Sequence, residues 1–248
     1  NVVIRKATGL KKHTKDEIMK YIFLLMLSVS MSTWADGYEL YQTNKYGTRD
    51  YSKQGYLVEK ESGVTTITPV NKYGTKDYSK PGYKIEKFFD TNPNLSHQSL
   101  IGIPITCVEN VIEISDSYKR GEFDEIVISF SGNTAARSSI FEEIRQMGIP
   151  FTNVIHASAE ISPFAKIGVG NLVFSGVRLG PFCIVGDNNV ISARCSIEHN
   201  NVLGSGNTFG PYVAFSGSCR IGNQNKFGTM ISIEPNVAIG DENIIGSN

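Results

Sequence analysis

The 248-residue chain has no run of the eighteen or so consecutive apolar residues that a spanning helix needs, so no membrane span is expected. Only four cysteines and four histidines occur, and the cysteines show no spacing of a disulfide framework. No Gly-rich loop precedes a helical stretch, so the dinucleotide-binding fingerprint is missing. Net charge is absent too, with 24 basic against 24 acidic residues, but this zero is a cancellation. Residues 1–87 carry 15 Lys+Arg and 9 Asp+Glu, a net of +6, and residues 88–248 carry the reverse, a net of −6. Wholly disordered chains are excluded by 40% hydrophobic and 19% charged residues. Two unlike stretches of polypeptide are therefore read separately.

Residues 1–35 form a basic segment with no assigned fold. Within it, 19–35 has a charged start, an apolar run of about a dozen residues and a small residue, Ala35, at a cleavage-like position, the layout of a secretory signal peptide. Residues 36–87 hold a repeat: Asn44 to Lys60 recurs as Asn71 to Lys87, 27 residues on, with 13 of 17 positions identical. Gly47 and Gly74 fall in Asn-Lys-Tyr-Gly-Thr turns flanked by Tyr/Val/Ile segments, which predicts small β-hairpins. Interleaved Tyr and Lys suit nucleic-acid or glycan contact, and equally a solvated ribbon whose lysines keep its edges from pairing. No nucleic-acid partner is expected. Composition changes abruptly at Phe88, which sets the boundary at 87/88. A start at Asn1 and a stop at Asn248 inside a repeat read as a fragment open at both ends.

Residues 88–154 alternate strand-length apolar runs with helical stretches. Phe123 to Phe130 reads as a buried strand, and Asn133 or Thr134 caps a helix through Met147, with Ile140, Ile144 and Met147 on one face and Gly148 as the stop. Phe151 to Ile155 follows as another strand. Such alternation argues for a small parallel α/β sheet.

From Ile155 every sixth residue is large and apolar, sixteen times without a break, ending at Ile245. The next residue is often Gly, and the fourth after each is small or a compact amide. A period of six fits neither a helix nor an alternating strand. It suits a chain that turns a corner every six residues, three corners to a coil, with large side chains inside a prism and Gly and Asn at corners that need positive φ. Eighteen residues per coil make about five coils over 155–248. Cys183, Cys195 and Cys219 take the small inward place, as reduced core fillers.

This pattern resembles the hexapeptide-repeat proteins. Phe88-Phe-Asp90-Thr-Asn-Pro, Gly102-Ile-Pro104, Gly132-Asn-Thr-Ala-Ala-Arg137, Ile149 to His156 and Ile197-Glu-His-Asn-Asn-Val-Leu-Gly204 are similar to the nucleotide-sugar acetyltransferases related to sialic acid O-acetyltransferases. The resemblance implies a mainly β chain: a left-handed parallel β-helix over 155–248, truncated at its C-terminus, behind a partial Rossmann-like sugar-nucleotide domain over 88–154. It further implies an acyltransferase that uses acetyl-CoA, needs no metal, works as a homotrimer, and takes a sugar or nucleotide-sugar acceptor through a hydroxyl or amine. His199, two past a core Ile and outside the prism, falls on the family's catalytic element and is the expected general base. Gly217 lies 18 residues on, one coil along the same corner, where a backbone N–H can serve the oxyanion. Thr208, Ser216, Gly217 and Pro235 are the expected coenzyme positions, and Asp90 matches a nucleotide-contacting acid.

Some features depart from the family. Thr208 stands where a second histidine is common, and Asn200 where an acid is common. The family's first strand and Gly-rich turn have no counterpart. The metal-dependent relatives of this fold need three histidines, whereas the repeat region holds two, 43 residues apart. Acetyl-CoA and reduced thiols point to the cytoplasm, against the leader-like stretch. The second reading is a non-catalytic β-helical scaffold, or an inactive fragment without its acceptor site.

Overall fold

The computed structural model describes residues 2–6, 38–40, 55–61, 64–70, 83–100, 103–156 and 158–247. The leader-like stretch 19–35 and both Asn-Lys-Tyr-Gly-Thr turns lie outside the described residues. The chain divides into two compact units, Asn1–Glu125 and Ile126–Asn248. Among the described residues, no helix is long and apolar enough to cross a membrane.

In the first unit, β2 (Tyr38–Leu40), β3 (Gly55–Glu61) and β4 (Val64–Val70) form an antiparallel sheet in that order. The hairpin is thus made by the end of the first repeat copy and the segment between copies. The end of the second copy does something else. It runs straight across position 87/88 as β5 (Tyr83–Asp90), which pairs antiparallel with β1 (Val2–Lys6) and parallel with β7 (Ile103–Cys107). A short strand, β6 (Ser99–Leu100), pairs antiparallel with β7. Near-identical sequences thus take different partners because pairing is chosen by what lies alongside. A strand does stand beside β5 from the chain's beginning, but antiparallel, not in the parallel sense of a doubly wound sheet.

Phe88, Phe89, Ile103, Ile114 and Phe123 are buried in this unit, with the Phe89 and Phe123 rings edge to face at 6.0 Å. Helix α1 (Val111–Lys119) begins at Asn110, whose side chain accepts from the Ile112 N–H. Beyond the helix, Glu122 receives Lys87 Nζ, the Ser117 hydroxyl and Arg120 Nε. Those donors, Lys87 first, lower its carboxyl from 4.5 to about 2. The resulting stabilisation is complete above pH 4.5 and is lost as the pH falls towards 2. Unfolding midpoints measured between pH 5 and 2 should therefore drop less steeply in Glu122→Gln than in the parent chain.

Strand β8 (Glu125–Val127) starts at the last residue of the first unit, and within the second unit Ile126 forms a parallel bridge with Phe151. Helix α2 (Thr134–Gln146) starts at Asn133, whose carboxamide accepts from the Ala136 N–H, and stops at Gly148, which has φ 75°. Its buried face carries Arg137, Phe141 and Ile144, so the expected apolar stripe is displaced and includes a cation. Arg137 is fully buried. Its Nη1 donates to Thr208 Oγ1 at 2.9 Å and its Nη2 to the carbonyls of Gly206 at 2.7 Å and Asn207 at 2.9 Å. Burial pulls its ionisation down to about 10, which still leaves it charged at neutral pH. Arg137→Met should destabilise the unit by about 2–4 kcal/mol in denaturant unfolding, since hydrogen bonds from a charged donor contribute about 1.5–3 kcal/mol each, against recovered desolvation.

Residues 154–245 form sixteen two-residue strands, from Val154–Ile155 to Ile244–Ile245, in three parallel walls. The first wall begins at Val154–Ile155, the second at Glu160–Ile161 and the third at Lys166–Ile167, and each strand pairs with the one 18 residues on. The second residue of each strand points inward, and Val173, Leu179, Ile191, Ile197, Phe209, Phe215 and Phe227 are buried. This is the three-sided β-helix expected from the hexad.

The corners are built differently from the expectation. From Ile167 to Ile239 positive φ falls on the third residue after each core position, and it is borne by Phe182, Arg194, Asn200, Tyr212, Ser218 and Met230 as well as by glycines. The glycine directly after the core residue is needed for closeness between coils: a Cβ on Gly204 would meet Gly222 O at 2.6 Å. The amide four places on points into the prism. At the third-to-first corner Asn171, Asn189, Asn207, Asn225 and Asn243 form a ladder, each Oδ1 accepting the next residue's N–H at 2.8–2.9 Å.

Candidate active site

The corner between second and third walls carries a column spaced by one coil: Pro181, His199, Gly217 and Pro235. Successive coils are tied here through the backbone. Asn200 N donates to Pro181 O at 3.0 Å, Ser218 N to His199 O at 3.0 Å, and Asn236 N to Gly217 O at 3.1 Å. Asn200, Ser218 and Asn236 take φ of 60°, 65° and 63°, and the short polar side chains of Asn and Ser fit such corners.

His199 is exposed, outside the prism, and its ring lies over Gly217. A Cβ on Gly217 would stand 2.5 Å from Cε1, 2.8 Å from Nε2 and 3.1 Å from Nδ1. The space above Gly217 is therefore taken by the imidazole itself. Asn200 presents its carboxamide to His199 Nδ1 at 3.2 Å. The atom at that distance is Nδ2, which donates to an Nδ1 lone pair and leaves the ring proton on Nε2. A half-turn of the exposed carboxamide brings Oδ1 to the ring instead, which then accepts from Nδ1–H and frees the Nε2 lone pair. The Gly217 N–H meets no acceptor among the described residues. An exposed imidazole and a backbone N–H without an acceptor among the described residues thus occupy neighbouring levels of one corner.

The peptide that carries His199 is held tightly. Beneath it, a Cβ on Gly180 would meet Glu198 C and His199 N at 2.9 Å each. The Glu198 carboxylate is engaged elsewhere, accepting from Arg178 Nη1 at 2.6 Å and Ser196 Oγ at 3.0 Å. On the ridge towards the chain's beginning, Phe164 and Phe182 stack at 5.5 Å, both well exposed.

Of the expected coenzyme positions, the structure brings Ser216, Gly217 and Pro235 to this corner. Thr208 is not brought there: it lies on the first wall, opposite the corner, buried, with its hydroxyl accepting from Arg137. Asp90 belongs to the other compact unit, at the carboxyl end of β5 beside Cys107 of β7, where its Oδ1 accepts from Asn92 N at 2.8 Å. The carboxyl ends of parallel strands are where open α/β sheets take ligands. Cys183, Cys195 and Cys219 are buried and unbridged, and burial pushes the Cys195 thiol up to about 12. The sequence did not point to Arg137 or Asn201 as structural keys. A single amide in the inward column Ala165, Cys183, Asn201, Cys219, Val237 was the available signal for the second.

No family model matches the chain, and no curated protein matches it in sequence. Solved structures do. A histidine-to-asparagine variant of perosamine N-acetyltransferase from Caulobacter crescentus, in complex with CoA and GDP-perosamine, superposes with a TM-score of 0.57 at 24% identity, covering 61% of this chain and 70% of that one. PerB from Caulobacter crescentus, with the same two ligands, gives 0.56 at 25% identity over 60% and 70%. The fold is that of the hexapeptide-repeat sugar acetyltransferases. Its left-handed β-helix is the part of the chain that carries the His199 corner.

Proposed function

We propose that this chain is an acetyl-CoA-dependent acetyltransferase that acts on a hydroxyl or amine of a sugar or nucleotide sugar, with His199 as general base and Gly217 N–H as oxyanion donor. The observation that carries the reading is the imidazole stacked on a glycine whose N–H has no acceptor among the described residues. Nε2 accepts the proton of the attacking hydroxyl or amine, Asn200 holds the ring through Nδ1, and the Gly217 N–H faces the place where the acyl oxygen gains charge. Acetyl-CoA supplies an activated thioester carbonyl. Ser216, Gly217 and Pro235 would line the approach of its pantetheine; Thr208, buried against Arg137, is left out of that approach.

Residues 88–154 are proposed to hold the sugar nucleotide, with Asp90 at the strand ends as its contact. A homotrimer would cover the exposed Phe164–Phe182 step on the same ridge. The cytoplasm, where acetyl-CoA and reduced thiols are found, is the proposed setting.

Thermal-shift titration with CoA and turnover of acetyl-CoA over a panel of amino and hydroxy nucleotide sugars test the reading together. Stabilisation by CoA, at about 2.7 kcal/mol for a hundredfold excess over Kd, and acceptor-dependent thiol release are expected. No shift at millimolar CoA would leave the non-catalytic scaffold as the surviving reading.

A further inference from the structure

Inside the prism, directly beneath His199, one side chain touches both halves of the candidate site. Asn201 is fully buried. Its Nδ2 donates to the carbonyl of Glu198 at 2.6 Å, and its Oδ1 accepts from Cys219 N at 2.7 Å. The first contact grips the peptide that carries His199. The second grips the neighbouring coil two residues beyond Gly217. The Glu198 carbonyl also receives the Cys183 thiol at 2.8 Å from the coil before, so two donors from inside and Gly180 beneath fix one peptide unit.

This bonding differs from that of the asparagine ladder at the next corner. There the Nδ2 of Asn171, Asn189, Asn207 and Asn225 reaches the following coil, as Asn189 does to Gly204 O at 3.0 Å and Asn225 does to Gly240 O at 2.8 Å, and Asn243, on the last coil, donates within its own turn. Asn201 turns its Nδ2 back on its own turn and leaves the coil-to-coil donation to Cys183. In its column the neighbours one coil away are both thiols. The amide occurs at the one level where two coils must present an imidazole and a glycine face to face.

We propose that Asn201 is a positioning residue for acetyl transfer, locking the His199 turn to the Gly217 turn so that the ring stays over Gly217. The inference rests on the reading of His199 as base, so its test carries a readout that does not need turnover. Asn201→Cys installs the column's own residue, which fills the site but accepts no backbone N–H as an amide does. Asn225→Cys makes the corresponding loss at the other corner.

Expected for Asn201→Cys are a kcat lower by about tenfold or more, since misplacement by about 1 Å can cost 10²-fold, and an unchanged KM for acetyl-CoA. The nuclear Overhauser contact between His199 Hε1 and the Gly217 α-protons should also disappear. Asn225→Cys should melt earlier by a similar amount and keep both kcat and the contact. Asn201→Ser can still donate to the carbonyl three residues back and should retain more of the contact than the cysteine variant. If Asn201→Cys does not fold, the serine variant decides alone: contact and kcat both at the parent's level overturn the proposal. The same result in a folded Asn201→Cys overturns it as well. The Overhauser contact decides the positioning claim whether or not the parent turns over. Loss of the contact with full turnover would sustain the positioning and remove His199 as the base.

Discussion

Gly217→Ala is expected to cost about 10²-fold in kcat/KM while leaving the fold nearly untouched. The Gly217 backbone is not in the left-handed region, so an added Cβ meets no conformational penalty of its own. What it meets is the imidazole of His199, at 2.5 Å from Cε1 and 2.8 Å from Nε2. An exposed ring can swing away at little cost, so unfolding free energy should change by less than about 1 kcal/mol. The proposed base, however, would leave the place where the acceptor's proton must be taken, and misplacement of that order costs about two decades. Gly204→Ala is the control: its Cβ would strike the Gly222 backbone at 2.6 Å, which cannot move without parting two coils. It should lose about 1–3 kcal/mol as overpacking does. Unchanged kcat/KM in a folded Gly217→Ala would mean that the stacked ring is not the working base.

His199→Ala should lower kcat by about 10²–10⁴-fold, the usual worth of a positioned general base, with CoA binding and melting temperature near those of the parent because the ring is exposed. The residual rate should rise with pH up to the acceptor's own ionisation, because hydroxide then substitutes for the missing base. Steady-state kinetics across pH 6 to 10 separate the two chains. A variant that keeps the parent's kcat at neutral pH would sink the assignment. Read side by side, the two variants distinguish a lost base from a displaced one: bulky nucleophiles should reach the alanine at 199 more readily than the alanine at 217.

The hexad, read over sixteen steps, was enough to place every inward residue from Ile155 to Ile245, to set the 18-residue register between coils, and to align His199 with Gly217 on one corner. The helix over Thr134–Gln146 was equally legible, because Asn133 and Gly148 punctuate it. Harder to read were positions whose partners arrive from far along the chain. Glycines and asparagines were expected at the positive-φ corners, yet Phe182, Tyr212 and Met230 occupy such corners, since pairing with both neighbouring coils over-determines the backbone there. Gly204 and Gly222 are glycines for want of room between coils.

A period of six is a local property, repeated, and a chain with that pattern can bury its large residues only by coiling in threes, so the β-helix was determined by the amino-acid order alone. Which side chains touch across coils was not. The buried guanidinium of Arg137 facing Gly206, Asn207 and Thr208 was decided only when the elements packed. So were the backward turn of Asn201 onto Glu198 and the ring of His199 in the space left by Gly217. Hydrogen-bond direction and ångström-scale clearance depend on the simultaneous position of segments 15 to 71 residues apart, and no local pattern encodes that.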